Sequence, residues 1–450
     1  GMNVVMILLS GAYVLIVLAR VPELIPFLAP LQLGKITFAL GALMVLATRT
    51  ERLLGLWKDI PFGRMLLLLA CIAVCGIPFS VWRGGAFNSL LGFAKTLAGF
   101  FLVVALTEHG REKALRFFIM ASVAALAALL AFDTGTGRLH VSDTYDPNDM
   151  ALLFVVFLPI VTAEALCARN FLLRIAAWGT VACSLIGIAL TQSRGGLLAL
   201  AAVAAHALII SKKRRWLLVP LLALGAVIIL QAADDALWSR FGELRDQSDY
   251  NYSGRTGRLT MWEEGLKLFA QRPLLGVGIG QFSAGVGMLG NGTYKTAHNS
   301  FVQLGAELGL VGLLAFLAIL RDVYRIARAG ASPALPSACR IRHSALMLAL
   351  TGYCVGGFFL SQAYGNILYM LLALAAIMHL ERNRLEHPAS LPARQKALVA
   401  GPSAPASEPA PAEANSLMRR ADAVRKARQE LLRRGKADAR LNIHSREESL

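Results

Sequence analysis

Three arginines in two short glycine-containing segments are the side chains best suited to hold an anion. Arg194 stands in Thr191-Gln-Ser-Arg-Gly-Gly196 between two apolar runs, and Arg255 and Arg258 stand in Ser253-Gly-Arg-Thr-Gly-Arg258. A guanidinium presents a fork of N–H donors that suits phosphate oxygens, and an adjacent glycine lets a ligand approach the backbone closely. We therefore expect an anion-binding pocket. The simpler alternatives are an Arg194 that reaches lipid headgroups and solvated loop arginines.

Three further ionisable side chains lie within or beside apolar runs. Lys95 and Glu307 lie inside such runs, and His298 stands where a polar segment meets one. An ionisable group in a membrane is costly unless it faces a polar cavity or a partner, so we expect Lys95 to join the anion pocket. An imidazole with an ordinary pKa of about 6.5 can accept a proton near neutrality, which makes His298 a candidate base. His298 could instead cap a helix, and Glu307 could pair with a neighbouring helix.

The sequence lacks the motifs of several other kinds of functional site. No His-Glu-x-x-His motif, no metal-ligand spacing of histidines and no phosphate-binding loop of the Walker type occur, so we predict neither a metal site nor ATP hydrolysis. Gly276-Val-Gly278-Ile-Gly280 resembles part of a dinucleotide fingerprint, but it lacks the βαβ context and is better explained as a tight turn. The six cysteines form no Cys-x-x-Cys pair, and we expect neither a disulfide framework nor a cofactor.

The elements that must position these residues are membrane helices. The chain has 450 residues, of which 56% are hydrophobic and only 16% charged, whereas soluble proteins are typically about a quarter charged. Apolar runs recur along it, each close to the ~20 residues that cross a bilayer. We predict an all-α polytopic membrane protein with about twelve transmembrane helices, at residues 4–19, 33–48, 64–82, 87–107, 114–132, 149–168, 172–190, 196–210, 216–232, 299–320, 343–361 and 364–380.

The basic residues give this bundle an orientation. The formal net charge is +17, and the lysines and arginines concentrate in alternate loops, such as residues 111–116, 169–174 and 321–342. Cytoplasmic loops carry this excess, so we predict that both termini are cytoplasmic and that Arg194, Arg258 and His298 lie on the outer side. The same bias explains the basic composition without nucleic acid, which we do not expect as a partner.

Two regions depart from the pattern of short loops. Residues 234–297 are polar, too long for a turn, and predicted to form one large outer segment. Residues after 380 form a basic tail whose first part is rich in Pro and Ala and whose second part, 415–441, reads as an amphipathic or simply solvated helix. The predicted divisions are 1–184 with the first helices, 185–320 with the polar segment, 321–380 with the last helices, and the cytoplasmic tail 381–450.

Four elements in order give the chain a resemblance to a known family. The segment Thr191–Gly196 followed by an apolar run resembles an element of the bacterial O-antigen ligase/polymerase family. The outer-segment signature of that family is similar to Arg258-Leu-Thr-Met-Trp262, then Arg272–Gly278, then His298-Asn299 with Glu307-Leu-Gly309. Asp146-Pro-Asn-Asp149, which opens the sixth apolar run, also resembles many members. The matching core covers about 185–320, and the basic tail is not part of the family pattern.

The resemblance implies a reaction. Members of the family transfer a glycan from undecaprenyl diphosphate to an acceptor hydroxyl at the periplasmic face of the inner membrane, without metal or nucleotide sugar and with inversion. The acceptor would be lipopolysaccharide core in a ligase, a second carrier-linked glycan in an O-antigen or exopolysaccharide polymerase, and a protein hydroxyl in an O-oligosaccharyltransferase. The partners are therefore the lipid-linked donor, a glycolipid, glycan or protein acceptor, and membrane lipids. A transporter or flippase for an anionic lipid, with the same cations as its binding site, is the alternative of another class.

The resemblance also implies roles for individual residues. Arg194 and Arg258 would hold the diphosphate and His298 would assist the acceptor, which makes these three the predicted catalytic residues. Arg255 competes with Arg258 for one family position. The predicted substrate-binding residues are Arg255, Lys95, Asn299, Glu307 and Trp262.

Overall fold

The protein is helical wherever its structure is described. A computed structural model describes residues 2–107, 111–132, 139–141, 144–211, 215–232 and 257–386, and within these ranges it contains no β-strand. Arg255 and the predicted tail helix lie outside the described residues. The helices are α1 Met2–Leu18, α2 Val21–Leu24, α3 Leu33–Asp59, α4 Gly63–Gly76, α5 Arg83–Thr107, α6 Glu112–Ala131, α7 Pro147–Cys167, α8 Phe171–Leu190, α9 Arg194–Ile210, α10 Arg215–Ala232, α11 Arg258–Gln271, α12 Phe282–Leu289, α13 Ser300–Gly330, α14 Ser337–Gly357 and α15 Asn366–Glu386.

Six helices within the described ranges are long and apolar enough to cross a membrane. They are Phe27–Thr48, Arg83–Thr107, Glu112–Ala131, Pro147–Cys167, Phe171–Leu190 and Ser300–Gly330. Met2–Leu18, Gly63–Phe79, Arg194–Ile210 and Leu222–Gln231 are shorter apolar helices. Each of the twelve predicted apolar runs falls on a helix, so the all-helical membrane architecture is confirmed. The number twelve stays a prediction.

Two helices form the centre of the bundle. In α7 nearly every residue from Met150 to Val161 is buried, and in α15 the same holds from Ile367 to Met378. A helix that is apolar on all sides is stable only when other helices surround it. α7 packs against α8, α9 and α14, and α13 packs against α4, α11 and α14. The N-terminal ends of α7, α9 and α13 are thereby held within one framework.

Helix α13 is broken near its start. Gly309 has φ 68° and ψ −167°, and the next amide, Leu310 N, donates to Pro273 O at 2.7 Å instead of continuing the helical ladder. Residues 310–330 alone are about 31 Å long, which is enough to cross the hydrocarbon layer. The sequence predicted one span at 299–320. In the structure, residues 300–308 form a separate short segment beside α11, and the long segment ends at Gly330.

Ion pairs cluster at the far end of α7. Glu164 accepts from Arg342 at 2.7 and 3.1 Å and pairs with Arg116 at 3.0 Å, while Arg384 pairs with Glu112 at 3.0 Å. Arg116 is only 3% exposed, so its charge requires these partners. At 1.5 Å per residue, Glu164 lies about 26 Å from the first residue of α7. The bundle therefore has a charged end opposite the end where α7 begins.

Candidate functional site

The first residues of α7 and α9 are joined by their caps. Asp146 accepts from the amides of Asn148 and Asp149 at 2.7 and 2.8 Å, which caps α7. Ser193 accepts from Gly196 N at 3.2 Å, which caps α9, and its hydroxyl donates to Asn148 Oδ1 at 2.9 Å. Both caps satisfy amides that have no partner within the helix. The hydroxyl of Ser193 thus fixes the two helix N-termini side by side.

The two glycines after Arg194 serve different purposes. A Cβ on Gly196 would lie 2.6 Å from the Cβ of Ala151, so this glycine lets α9 approach α7 closely. A Cβ on Gly195 would lie 3.3 Å from Phe359, and Gly195 lines a small cavity. Arg194 itself is the half-buried first residue of α9. The expected close approach of a ligand to the backbone is therefore possible at Gly195, whereas Gly196 is a packing residue.

The start of α13 is tied to the loop between α14 and α15. Asn299 accepts from the amides of Phe301 and Val302 at 2.9 and 3.1 Å and so caps α13. Ser300 donates to Leu360 O at 2.6 Å and accepts from Gln362 N at 2.9 Å. The side-chain amide of Gln362 donates to Asp149 Oδ1 at 2.7 Å. This chain of hydrogen bonds connects the N-terminus of α13 with that of α7.

Helix α11 contributes Arg258 as its first residue. The helix is anchored one turn later by Trp262, whose indole N–H donates to Ala297 O at 3.0 Å. The Trp262 ring packs edge-on against Phe358, with 5.0 Å between ring centroids. Trp262 lies on the same helix as Arg258 and is hydrogen-bonded to Ala297, the residue before His298. This hydrogen bond therefore fixes the position of Arg258 relative to His298.

A narrow cavity lies where these helix ends meet. It has a volume of about 10 Å³, which is room for about one water molecule, and Arg258 is the charged residue in its lining. Helices α7, α9 and α11 direct their N-terminal ends toward it, and the positive ends of helix dipoles favour an anion. The lining residues are Asn148, Leu152, Ser193, Gly195, Gly196, Ala199, Arg258, Gly356, Phe359 and Leu360.

His298 lies near Arg258, which lines this cavity, and has an unusual backbone conformation. Its φ is 47°, and its Nε2 lies 3.1 Å from Thr296 Oγ1. Burial lowers the pKa of His298 below its ordinary value of 6.5, and the nearby charges of Arg258 and Lys295 lower it further, while the Asp146 carboxylate opposes them. The imidazole is therefore held in its neutral form, which can accept a proton.

Two of the predicted substrate-binding residues, Asn299 and Glu307, make hydrogen bonds that hold the fold together. Asn299 is fully buried, and while its oxygen caps α13, its Nδ2 meets no acceptor among the described residues. Glu307 is 1% exposed, and its carboxylate accepts from Gly280 N at 2.9 Å and Phe282 N at 3.1 Å. The geometry of Glu307 indicates a positioning role in the segment 276–282. Its predicted contact with substrate stays a prediction.

Of the remaining predicted residues, Lys95 is not brought to the cavity, and Arg255 lies outside the described residues. Lys95 is exposed on α5, and no contact found among the described residues joins it to Arg258 or His298. The sequence reasoning missed Ser193, Asn148 and the pair Phe358-Phe359. The motif around Asn148 was recognised, and its place beside Thr191–Gly196 was the available signal. Phe358 and Phe359 gave no signal in the sequence, because they lie within a continuous apolar run.

The described residues contain no group of three His, Cys, Asp or Glu side chains placed to hold a metal ion. The positive charge that this site offers to an anion comes from Arg258, from the neighbouring Arg194, and from helix N-termini.

Residues 179–317 match the family model described as O-antigen ligase. The match includes Arg194, Arg258, His298, Asn299 and Glu307, and it confirms the family that the motifs predicted. No curated protein matches the chain.

Proposed function

We propose that this chain, whose residues 179–317 belong to the O-antigen ligase family, transfers a glycan from undecaprenyl diphosphate to an acceptor hydroxyl. We place the reaction at the periplasmic face of the bacterial inner membrane, with both termini cytoplasmic. One observation carries the proposal: Arg258 and residues at the N-termini of α7 and α9 line one cavity, and His298, which burial and neighbouring cations keep neutral, lies near Arg258.

The arginines and helix ends act on the leaving group. When the bond between the anomeric carbon and the phosphate oxygen breaks, negative charge grows on the diphosphate. Donors fixed in advance stabilise that charge without reorganising, and the loss of one such donor typically costs about 10²–10³-fold in rate. Arg258 borders the cavity directly and Arg194 opens α9 next to it. This arrangement needs no metal ion, and we propose a metal-independent reaction.

His298 acts on the acceptor. The acceptor oxygen forms a bond to the anomeric carbon from the face opposite the diphosphate, and its proton passes to the neutral imidazole. Such a general base contributes about 10²–10⁴-fold. The displacement inverts the anomeric centre and releases undecaprenyl diphosphate. Asn299 Nδ2, a buried donor next to His298 without an acceptor among the described residues, is available to a phosphate or acceptor oxygen.

The test uses the purified full chain in detergent with undecaprenyl-diphosphate-linked O-antigen and rough lipopolysaccharide, whose exposed core glycan is the acceptor of a ligase. We expect a new glycosidic bond with the wild type. Arg258→Lys and Arg194→Lys each lose about 100-fold in rate although the charge is kept, because lysine lacks the planar fork. The matched control is Arg83→Lys, an exposed arginine at the start of α5 outside the cavity, which keeps the wild-type rate.

The outcomes separate the proposal from its alternatives. Movement of the lipid-linked glycan across a reconstituted bilayer with no new bond in detergent indicates a flippase and contradicts the enzyme. Transfer to a second carrier-linked glycan, and not to lipopolysaccharide, indicates a polymerase of the same family. Wild-type rates in both lysine variants contradict the diphosphate-binding role of the arginines.

A further inference from the structure

A second, larger cavity lies on α11 away from the proposed diphosphate site. Its volume is about 280 Å³, close to the lower end of the range of small-ligand pockets. Three polar side chains of α11, Glu264, Lys267 and Gln271, stand along it on successive turns, because residues three, four and seven apart share one face of a helix. The opposite wall is the end of α12 and the turn that follows, with Leu289, Gly290 and Asn291.

Glu264 is the central feature of this cavity. The residue is 6% exposed, and its Oε1 accepts from Lys267 Nζ at 3.0 Å. Its Oε2 accepts no hydrogen bond within the described part of the chain, and it lies against Gly290, where a side chain would collide with it. Glu264 lines the cavity, so this carboxylate oxygen is available to accept a hydrogen bond from a molecule bound there.

The other residues that line the cavity indicate which class of molecule it can bind. Lys267 is shared between the carboxylates of Glu264 and Glu263, so the group has no excess positive charge to attract a phosphate. The cavity lining also offers too few oxygen ligands for a divalent cation. Lys267 Nζ and the exposed Gln271 amide offer donors, and the amide oxygen offers an acceptor. Leu268 and Leu289 supply an apolar surface between them. Alternating donors and acceptors over an apolar base match the hydroxyls and C–H groups of a neutral pyranose.

The position of the cavity fits a glycan enzyme. Glu264 lies six residues beyond Arg258 and Gln271 thirteen, so along α11 the cavity extends from about 9 to about 20 Å from the first residue of the helix. We propose that Glu264, Lys267 and Gln271 form a subsite for one neutral sugar unit of the glycan substrates. This inference rests on the proposed glycosyl transfer for its biological meaning, but the binding itself is measured without turnover.

The experiment is saturation-transfer NMR on the full chain in detergent with glucose, galactose, mannose and N-acetylglucosamine, each without any lipid-linked donor. We expect a signal from at least one sugar. Glu264→Gln removes a hydrogen bond to a charged acceptor, which lowers the affinity for that sugar roughly 10-fold or more. Glu263→Gln is the matched control, because Glu263 pairs with the same lysine at 2.8 Å but is 66% exposed and outside the cavity. It keeps wild-type binding.

A second variant, which fills the cavity with a larger side chain, distinguishes loss of the subsite from misfolding. Leu289 is 40% exposed at the edge of the cavity, so Leu289→Trp is tolerated by the fold and blocks the sugar without changing Glu264. Thermal unfolding confirms that each variant is folded. No signal from any of the four sugars, or equal signals in the wild type, Glu264→Gln and Leu289→Trp, overturns the subsite.

Two further arms relate the result to the reaction. Undecaprenyl diphosphate that carries the glycan displaces the sugar, and undecaprenyl diphosphate alone does not, if the subsite holds the donor glycan. Displacement by rough lipopolysaccharide instead assigns the subsite to the acceptor. Transfer by the wild type with equal sugar binding in Glu264→Gln and Glu263→Gln overturns the subsite alone. Glu264-dependent sugar binding in a protein that transfers nothing overturns the proposed function alone.

Discussion

At the scale of single residues, the protonation of His298 is set by a small number of nearby charges. Burial, Arg258 and Lys295 lower the pKa of the imidazole, and Asp146 raises it. Because the resulting pKa lies below 6.5, His298 is mostly neutral at pH 7 and the transfer rate is expected to be flat there. The rate falls as the pH drops through the pKa of His298, since protonation removes the base.

Substitutions of the two outlying charges shift this pH dependence in opposite directions. Lys295→Met removes a repelling cation, so the pKa of His298 rises and the acid limb of the rate profile moves to higher pH. Asp146→Asn removes a stabilising anion and keeps the cap of α7, since Asn caps as well as Asp, so the limb moves to lower pH. The measurement is the transfer rate against pH at saturating donor.

The control for this experiment is His298→Ala, which loses transfer at every pH while the arginines still bind the donor. Shifts of the acid limb in the same direction in Lys295→Met and Asp146→Asn contradict the assignment of His298 as the titrating base. The assignment is also contradicted if His298→Ala keeps substantial transfer with an unchanged dependence of rate on pH.

The sequence predicted the charged residues of the site better than the groups that hold them. Arg258 and His298 were found because a guanidinium and an imidazole beside a membrane span are expensive and carry recognisable chemistry. Ser193 and Gln362 join the neighbouring helix ends through a hydroxyl and an amide, which are common and carry no such cost. Their role depends on which helix ends meet, and spacing along the chain does not contain that information.

At the scale of elements, the break in α13 determines how α11 is held. The segment after α11 donates from Val277 N to Ala306 O at 2.8 Å and from Gly278 N to Glu307 O at 3.0 Å. The Glu307 side chain accepts from Gly280 N and Phe282 N in the same segment. Residues 300–308 therefore hold the segment that follows α11, and Glu307 positions residues 280–282 of that segment without lining the cavity bordered by Arg258.

Gly309 is the residue that permits the break. Its φ of 68° disfavours any side chain, and a Cβ there would also collide with the carbonyl group of Leu274. Gly309→Ala is expected to lower the free energy of unfolding by more than the ~1–2 kcal/mol that a left-handed conformation alone costs. Thermal unfolding in detergent measures the loss.

Gly292 provides the matched comparison. It has φ 82°, and no atom lies within 4 Å of the position that a Cβ would take, so Gly292→Ala carries the conformational cost without the collision. Equal destabilisation by the two substitutions contradicts the close approach of Leu274 to Gly309. The sequence could not show this break, because Glu307-Leu-Gly309 lies in a continuous apolar run without proline and its partner segment is some thirty residues away in the chain.

At the scale of the whole molecule, the two ends of the bundle carry different kinds of polar group. One end has the helix caps, the cavity lined by Arg258, and His298. The other end has buried ion pairs such as Arg116 with Glu164 and Arg342 with Glu164. The basic loops predicted to be cytoplasmic are those that supply Arg116 and Arg342. This distribution of charge is the one expected for the proposed periplasmic site, and residues 310–330 are long enough to cross the bilayer.

This orientation can be tested by labelling single cysteines in a variant whose six native cysteines are replaced by serine. Tyr294→Cys is at a 65% exposed position of the segment before His298, and Arg328→Cys is at an exposed position near the end of α13. Because residues 310–330 span about 31 Å, the two sites should face opposite compartments. A membrane-impermeant maleimide is expected to label Tyr294→Cys in intact spheroplasts and Arg328→Cys only after lysis. The reverse pattern would place the cavity in the cytoplasm, where a periplasmic acceptor cannot reach it, and would contradict the proposed reaction together with the orientation.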